Sequence, residues 1–231
     1  MSYKLIIVLI LLVIVMVACV KNKKLTISAS LLAGLIGFLI MAGAGLPGLI
    51  MLGAFFIMGV LATSHKKEMK ANADQQQRTA SQVFANGGMA AILATFAMFH
   101  PARAEAYLLM VAASLASATA DTLSSELGMV YGHNFYNILS FKREAKGLDG
   151  VVSLEGTLLG AAGTLVIAII YGIGYGFNYK YLAIIVFAGM MGNLADSVLG
   201  AMLERKHKIG NDTVNFLNTL FAALLAGLLY W

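Results

Sequence analysis

The chain has 231 residues, of which 60% are hydrophobic and only 12% charged. A soluble domain of this size carries about 25% charged residues, so a water-solvated globule is excluded and a lipid solvent is implied. The net charge of +5 is modest, and no nucleic-acid partner is expected. Cys19 is the one cysteine, so no intrachain disulfide can form. His65, His100, His133 and His207 lie far apart, without zinc-ligand spacing.

A membrane helix needs about 20 mostly apolar residues. In chain order, eight segments meet that need: Leu5–Val20, Leu25–Gly43, Leu46–Ala62, Phe84–Phe99, Ala104–Leu123, Leu154–Gly176, Tyr181–Gly200 and Val214–Trp231. The expected fold is an all-α, polytopic membrane helix bundle forming a single membrane domain over 1–231. Gly43–Gly48 holds glycines and Pro47, which stop a helix. The second and third segments there form either a tight hairpin or one broken span, so seven spans is the alternative. Lys4, the apolar run after it and Met16–Cys19 faintly resemble a lipoprotein signal. Cleavage there would translocate Lys21, Lys23 and Lys24, which the charge pattern disfavours.

Lys and Arg in short loops mark the cytoplasmic side. With the Lys21–Lys24 turn cytoplasmic, eight spans place 13 of the 16 basic residues on that side. Lys4, Arg103 and Lys180 fall outside, and both termini are expected on the opposite face. Ten of the eleven acidic residues, Asp74 among them and Glu105 excepted, fall in or beside the same loops. Topology does not demand that, because Asp and Glu contribute little to orientation. Glu68–Lys70 and Glu144 read as ordinary solvated loop charges, and Glu204-Arg205 as a possible local ion pair.

The chemistry gathers at four helix ends. The fifth span ends in Ala120-Asp121-Thr122-Leu123-Ser124-Ser125-Glu126. The seventh ends in Ala195-Asp196-Ser197-Val198, a weak echo of it, preceded by Asn193 and followed by Glu204-Arg205. Asp149 and Glu155 open the sixth span, and Asn211-Asp212, Asn215 and Asn218 open the eighth. Ionisable groups in apolar spans usually face the bundle interior, so Asp121 and Asp196 are expected to point inward. Gly147–Gly150 before a helix start could present backbone N–H groups to phosphate. Carboxylates and phosphates coexist when Mg²⁺, or Mn²⁺, bridges them. Asp121, Asp196, Asn193 and Asn215 suit the metal. Lys66, Lys67, Arg78, Lys142, Arg143, Lys146 and Arg205 suit the phosphates.

Several spaced motifs carry a family resemblance. They are Arg78…Gln82-Val83-Phe84-Ala85-Asn86-Gly87-Gly88, Ala120–Gly128, Gly150–Thr157, Ala195–Ala201 with Glu204-Arg205, and Asn211–Leu217. Together they resemble the membrane family that contains phytyl-phosphate kinase, over about Lys66–Trp231. Where that family often has Thr-Asn-Gly-Gly or Thr-Asp-Gly-Gly, this chain has Lys146-Gly147-Leu148-Asp149-Gly150-Val151, so Val151 replaces a glycine. The resemblance implies phosphoryl transfer from CTP to an isoprenoid monophosphate lipid, at the cytoplasmic face of the cell's inner or plasma membrane. Asp121, Asp196, Glu126 and Arg205 are then the expected catalytic residues. Arg78, Asn86, Lys142, Lys146, Ser153, Glu155, Thr157, Ser197 and Asp212 are the expected substrate and nucleotide contacts. The competing readings are an ion-coupled transporter of a lipid or small anion, whose sites tend to lie near mid-membrane, and a noncatalytic scaffold.

Overall fold

The computed structural model describes residues 3–70 and 77–231, with side chains from residue 8 onward. Asp74 and the Lys4 side chain lie outside the described residues. The helices are α1 (Tyr3–Lys21), α2 (Ile27–Ser64), α3 (Ala80–Phe99), α4 (Ala104–Tyr131), α5 (Leu154–Tyr175), α6 (Tyr179–Leu199) and α7 (Asn211–Tyr230). Two three-residue strands, β1 (Phe135–Asn137) and β2 (Val151–Ser153), pair antiparallel between α4 and α5. The sequence reading gave that segment as loop; three residues per strand carry too little alternation to be visible. The protein is otherwise an all-α, polytopic membrane bundle, and six of its described helices are long and apolar enough to cross a bilayer.

The longest of these, α2, crosses twice. A straight helix of its 38 residues would be about 57 Å long. Yet Lys24, just before it, donates to the Ser64 hydroxyl at its far end at 2.9 Å. The reversal is at Gly45, with φ 65° and ψ −165°, a conformation essentially reserved for glycine. Pro47 contributes no N–H, and the Ala44 carbonyl at the break accepts from the Tyr175 hydroxyl. The limbs, 27–44 and 46–64, are therefore separate traversals. With them and α1, eight helical segments run along the bundle, the arrangement that the hairpin alternative expects.

Local sequence explains where helices begin. Thr26 caps α2 by accepting from the Ala29 N–H, and Thr79 with Gln82 forms a reciprocal capping box on α3. The two starts are stitched together: Thr26 N–H donates to the Arg78 carbonyl at 3.1 Å, and Arg78 N–H to the Lys24 carbonyl at 3.0 Å. The start of α2, the end of its second limb and the start of α3 thus share one end of the bundle. The ends of α4 and α6 and the starts of α5 and α7 share it too, since residues from all of them line one cavity. Glu105 and Lys180 mark the opposite end, where both bond to Tyr230.

Helix α4 is the hub and packs on α2, α3, α5, α6 and α7. Its central run Val111–Ala120 is wholly buried and mostly Ala and Ser. Side chains this small let neighbouring helices approach closely. By contrast α1 packs on α2 alone among its substantial contacts and leaves Ile10, Leu11, Val13 and Ile14 exposed, as a lipid-facing helix requires.

Candidate active site

At the charged end the helices enclose a cavity of about 720 Å³. Its lining carries charge of both signs, grouped by element, with Glu126 of α4 beside the basic group. One wall carries Lys24 from the turn before α2, Lys67 and Lys70 from the segment after α2, and Arg78 before α3. The other carries Asp121, Asp149, Asp196, Glu204 and Asp212 from α4, the β1–β2 loop, α6, the turn after α6, and α7.

The acidic wall is built on helix interiors. The Asp121 and Asp196 carboxyl groups adjoin one another within hydrogen-bonding reach. Asp196 Oδ2 accepts from Asn218 Nδ2 at 2.6 Å, and Asn218 Oδ1 accepts from the Ser117 hydroxyl at 3.0 Å. Asn218 and Ser117 are fully buried, so this chain fixes one oxygen of Asp196, which lines the cavity. Beside it, the Ser124 hydroxyl donates to Asn193 Oδ1 at 3.1 Å. A five-residue π turn, Gly200–Glu204, extends α6 and brings Glu204 to the cavity rim.

The basic wall is built on connecting segments. Lys70 is buried and pairs with Glu126 at 2.8 Å, while also donating to the carbonyls of Ala62 and Thr63 at the end of α2. It is not the solvated charge expected from sequence. A lysine so enclosed needs acceptors on every donor, and the helix end supplies them. The Arg78 guanidinium lies over the Phe55 ring, 5.9 Å from its centroid. Burial pulls Arg78 below its ordinary pKa, and the Glu126 charge acts against that shift; a guanidinium stays charged regardless.

Of the residues expected in the site, the cavity brings together Arg78, Asn86, Asp121, Glu126, Ser153, Thr157, Asn193, Asp196, Ser197, Asp212 and Asn215. Three of these already serve their own helix. Ser153 caps α5, Thr157 donates to the Ser153 carbonyl, and Ser197 donates to the Asn193 carbonyl.

The cavity does not include Arg205, Lys142, Lys146 or Glu155. Arg205 is paired with Glu144 at 2.5 Å, rather than with Glu204, and Glu144 is likewise not a free solvated charge. That contact raises the Arg205 pKa and lowers that of Glu144. Lys146 donates to the carbonyls of Met69 and Met129, Glu155 pairs with His133, and Lys142 is exposed. Sequence reasoning gave Lys24 and Lys70 no site role. Nothing in their local pattern separates a cavity lysine from an orienting one. Asn218 was visible only as the third member of an i, i+4, i+7 face.

The Gly147–Gly150 loop lines the cavity, and Gly147 and Gly150 have φ of 81° and 73°. A Cβ on Gly150 would overlap Ala201 of the π turn. The glycine is what lets the loop lie against α6. The donor set on the acidic wall is carboxylate and amide oxygen, the hard ligands that Mg²⁺ or Mn²⁺ takes. Among the described residues no three His, Cys, Asp or Glu side chains converge into a ready-made metal cage.

A family model described as integral membrane protein DUF92 matches residues 10–223. An uncharacterized membrane protein of Methanocaldococcus jannaschii is 33% identical over 213 residues, 91% of this chain and 87% of its own length. An uncharacterized membrane protein of Synechocystis is 31% identical over 204 residues, 84% of this chain and 78% of its own. Protein VTE6, chloroplastic, of Arabidopsis thaliana is 29% identical over 205 residues, 84% of this chain and 62% of its own. No solved structure matches the chain.

Proposed function

Because the chain belongs to the integral membrane protein family DUF92, and its motifs resemble those of phytyl-phosphate kinase, we propose that it is a membrane phosphotransferase. It transfers the γ-phosphoryl group of a nucleoside triphosphate, CTP by that resemblance, to an isoprenoid monophosphate. The observation that carries this reading is a cavity of mixed charge: the adjoining carboxyl groups of Asp121 and Asp196 share it with Lys24, Lys67 and Arg78. A triphosphate brings charge that the basic wall neutralises. It also brings oxygens that need a cation between them and the carboxylates.

A site at the charged end of an apolar bundle suits an acceptor with a phosphate head and a hydrocarbon tail. An oxygen of the acceptor phosphate attacks the γ-phosphorus as the bond to the β-phosphate oxygen breaks. The nucleoside diphosphate leaves with that electron pair, and the acceptor becomes a diphosphate. No protein nucleophile is required. Asp121 and Asp196, with Asn193 and Asn215 beside them, would hold Mg²⁺ or Mn²⁺, which when bound neutralises charge on the transferring group. Lys24, Lys67 and Arg78 hold phosphates, while Lys70, whose three donors go to Glu126, Ala62 and Thr63, holds the segment after α2 in place. The positive-inside pattern supports a cytoplasmic placement of this face.

The test is direct. The detergent-purified protein, given Mg²⁺, labelled CTP and a panel of prenyl monophosphates, is expected to form prenyl diphosphate and CDP in equal amounts. Absence of turnover with every acceptor and nucleotide, with ion-coupled anion or lipid flux in liposomes, would establish the carrier reading instead.

A further inference from the structure

Asn86 stands apart among the polar side chains of the cavity. It lies in the first half of α3, is 8% exposed, and lines the cavity with Gln82 and Arg78. Its Nδ2 donates to the Gln82 carbonyl one turn earlier, at 2.9 Å. Its Oδ1 is buried without a hydrogen-bond partner among the described residues. Turning the amide over does not help. It would set Oδ1 against the Gln82 carbonyl, acceptor against acceptor. The unmet group is therefore an acceptor, and it asks for an N–H or O–H. Ser114 Oγ is the other buried atom of this kind, but it is a rotatable hydroxyl on α4 and does not line the cavity.

This narrows what meets Asn86, given the nucleotide-dependent reading above, on which the inference rests. Ionised phosphate oxygens are acceptors and do not answer an acceptor. An isoprenoid tail has no polar hydrogen. Of the two substrates, the nucleoside carries the donors, in a base amino group and in the ribose hydroxyls. We propose that Asn86 Oδ1 receives a hydrogen bond from the nucleoside and thereby selects which nucleoside triphosphate the cavity accepts. A buried acceptor discriminates strongly, because a ligand lacking the donor leaves it desolvated and unpaired.

The experiment edits the ligand as well as the protein. Equilibrium binding in detergent with Mg²⁺ is measured for CTP, UTP, 2′-deoxy-CTP and 3′-deoxy-CTP. UTP replaces the base amino group by a carbonyl, and the deoxy analogues remove one hydroxyl each. One of the three is expected to bind the unaltered protein about ten-fold or more weakly than CTP. In Asn86→Ala that gap should close, while the other two analogues keep their affinities relative to CTP.

Equal binding of all four, or a gap that survives in Asn86→Ala, overturns the proposal. So does a uniform loss for all four in that variant, which would place Asn86 on the triphosphate or its cation. If Asn86→Ala does not fold, Asn86→Ser keeps a donor for the Gln82 carbonyl and is expected to close the gap likewise, because its shorter side chain withdraws the acceptor; survival of the gap there is equally fatal. The two readings fail differently. No binding of any nucleoside triphosphate to the unaltered protein removes the kinase reading and this one with it, whereas binding indifferent to Asn86 removes only this one.

Discussion

The two walls of the cavity are made in opposite ways. Asp121, Asp196 and Asp212 sit on helices that pack against one another, and Asp196 is held by buried Asn218, itself held by Ser117. Lys24, Lys67, Lys70 and Arg78 sit on turns and connecting segments. The difference follows from what each wall must do. A small divalent ion demands ligands at defined distances, and only packed helices hold side chains that closely. Phosphate charge can be met by flexible ammonium groups from several directions. Substitutions in the acidic wall should therefore abolish function while the fold survives. In the basic wall they should weaken binding and be partly recoverable.

The sharpest break is Asp196→Asn. The amide can still accept from Asn218, so packing is kept and only the negative charge is lost. Turnover should fall at least about 100-fold, the cost of deleting one electrostatic group at a reacting centre, with the melting temperature little changed. Mn²⁺ binding followed by electron paramagnetic resonance should weaken in parallel. Turnover at the unaltered rate would remove the role assigned to the acidic wall.

Lys70→Met tests the other side. It removes a buried cation and leaves Glu126 with Thr63 as its remaining side-chain partner. Because the Glu126 side chain is 23% exposed, the loss of stability should be about 1–2 kcal/mol, below that of a fully buried pair. The KM for nucleotide should rise about ten-fold with a smaller change in kcat. The double variant Lys70→Met/Glu126→Gln should regain most of the stability, because no uncompensated charge remains, yet keep the raised KM. Recovery of KM as well would mean that the segment after α2 does not need Lys70 to hold it in place.

The same contrast governs what could be read from sequence. Hydropathy marked the segments, and Gly43–Gly48 marked where the helix breaks, because chain-breaking residues act locally, while hairpin or broken span was decided by the fold. Asp121 and Asp196 were legible because a charge inside an apolar span has no other explanation. The basic wall was only half legible: Lys67 and Arg78 stood among the expected phosphate residues, and Lys24 and Lys70 did not. Loop lysines serve insertion first, and their partners come from distant helix ends: Lys70 meets Glu126, 56 residues on, and Arg205 meets Glu144, 61 residues back. Such pairings are properties of the assembled bundle. Lys142, Lys146 and Arg205 follow the same pattern of local charge as Lys24 and Lys70, yet the first three lie outside the cavity.

Arg205 and Glu144 supply the gentlest test. Their pair ties the turn after α6 to the β1–β2 loop, and neither residue lines the cavity. Glu144→Gln should leave turnover within about two-fold, since exposed pairs contribute little. Its effect should instead be a pH effect. The Glu144 pKa is depressed in the folded protein, so its contribution to loop order is present above about pH 4.3, the ordinary glutamate value, and is lost as pH falls through the lowered one. Hydrogen exchange of residues 140–146 should therefore quicken below that range in the unaltered protein, and already be quick at neutral pH in Glu144→Gln. Loss of turnover in this variant would mean that Arg205 acts in the cavity after all, and would erase the division between paired loop charges and the phosphate-facing wall.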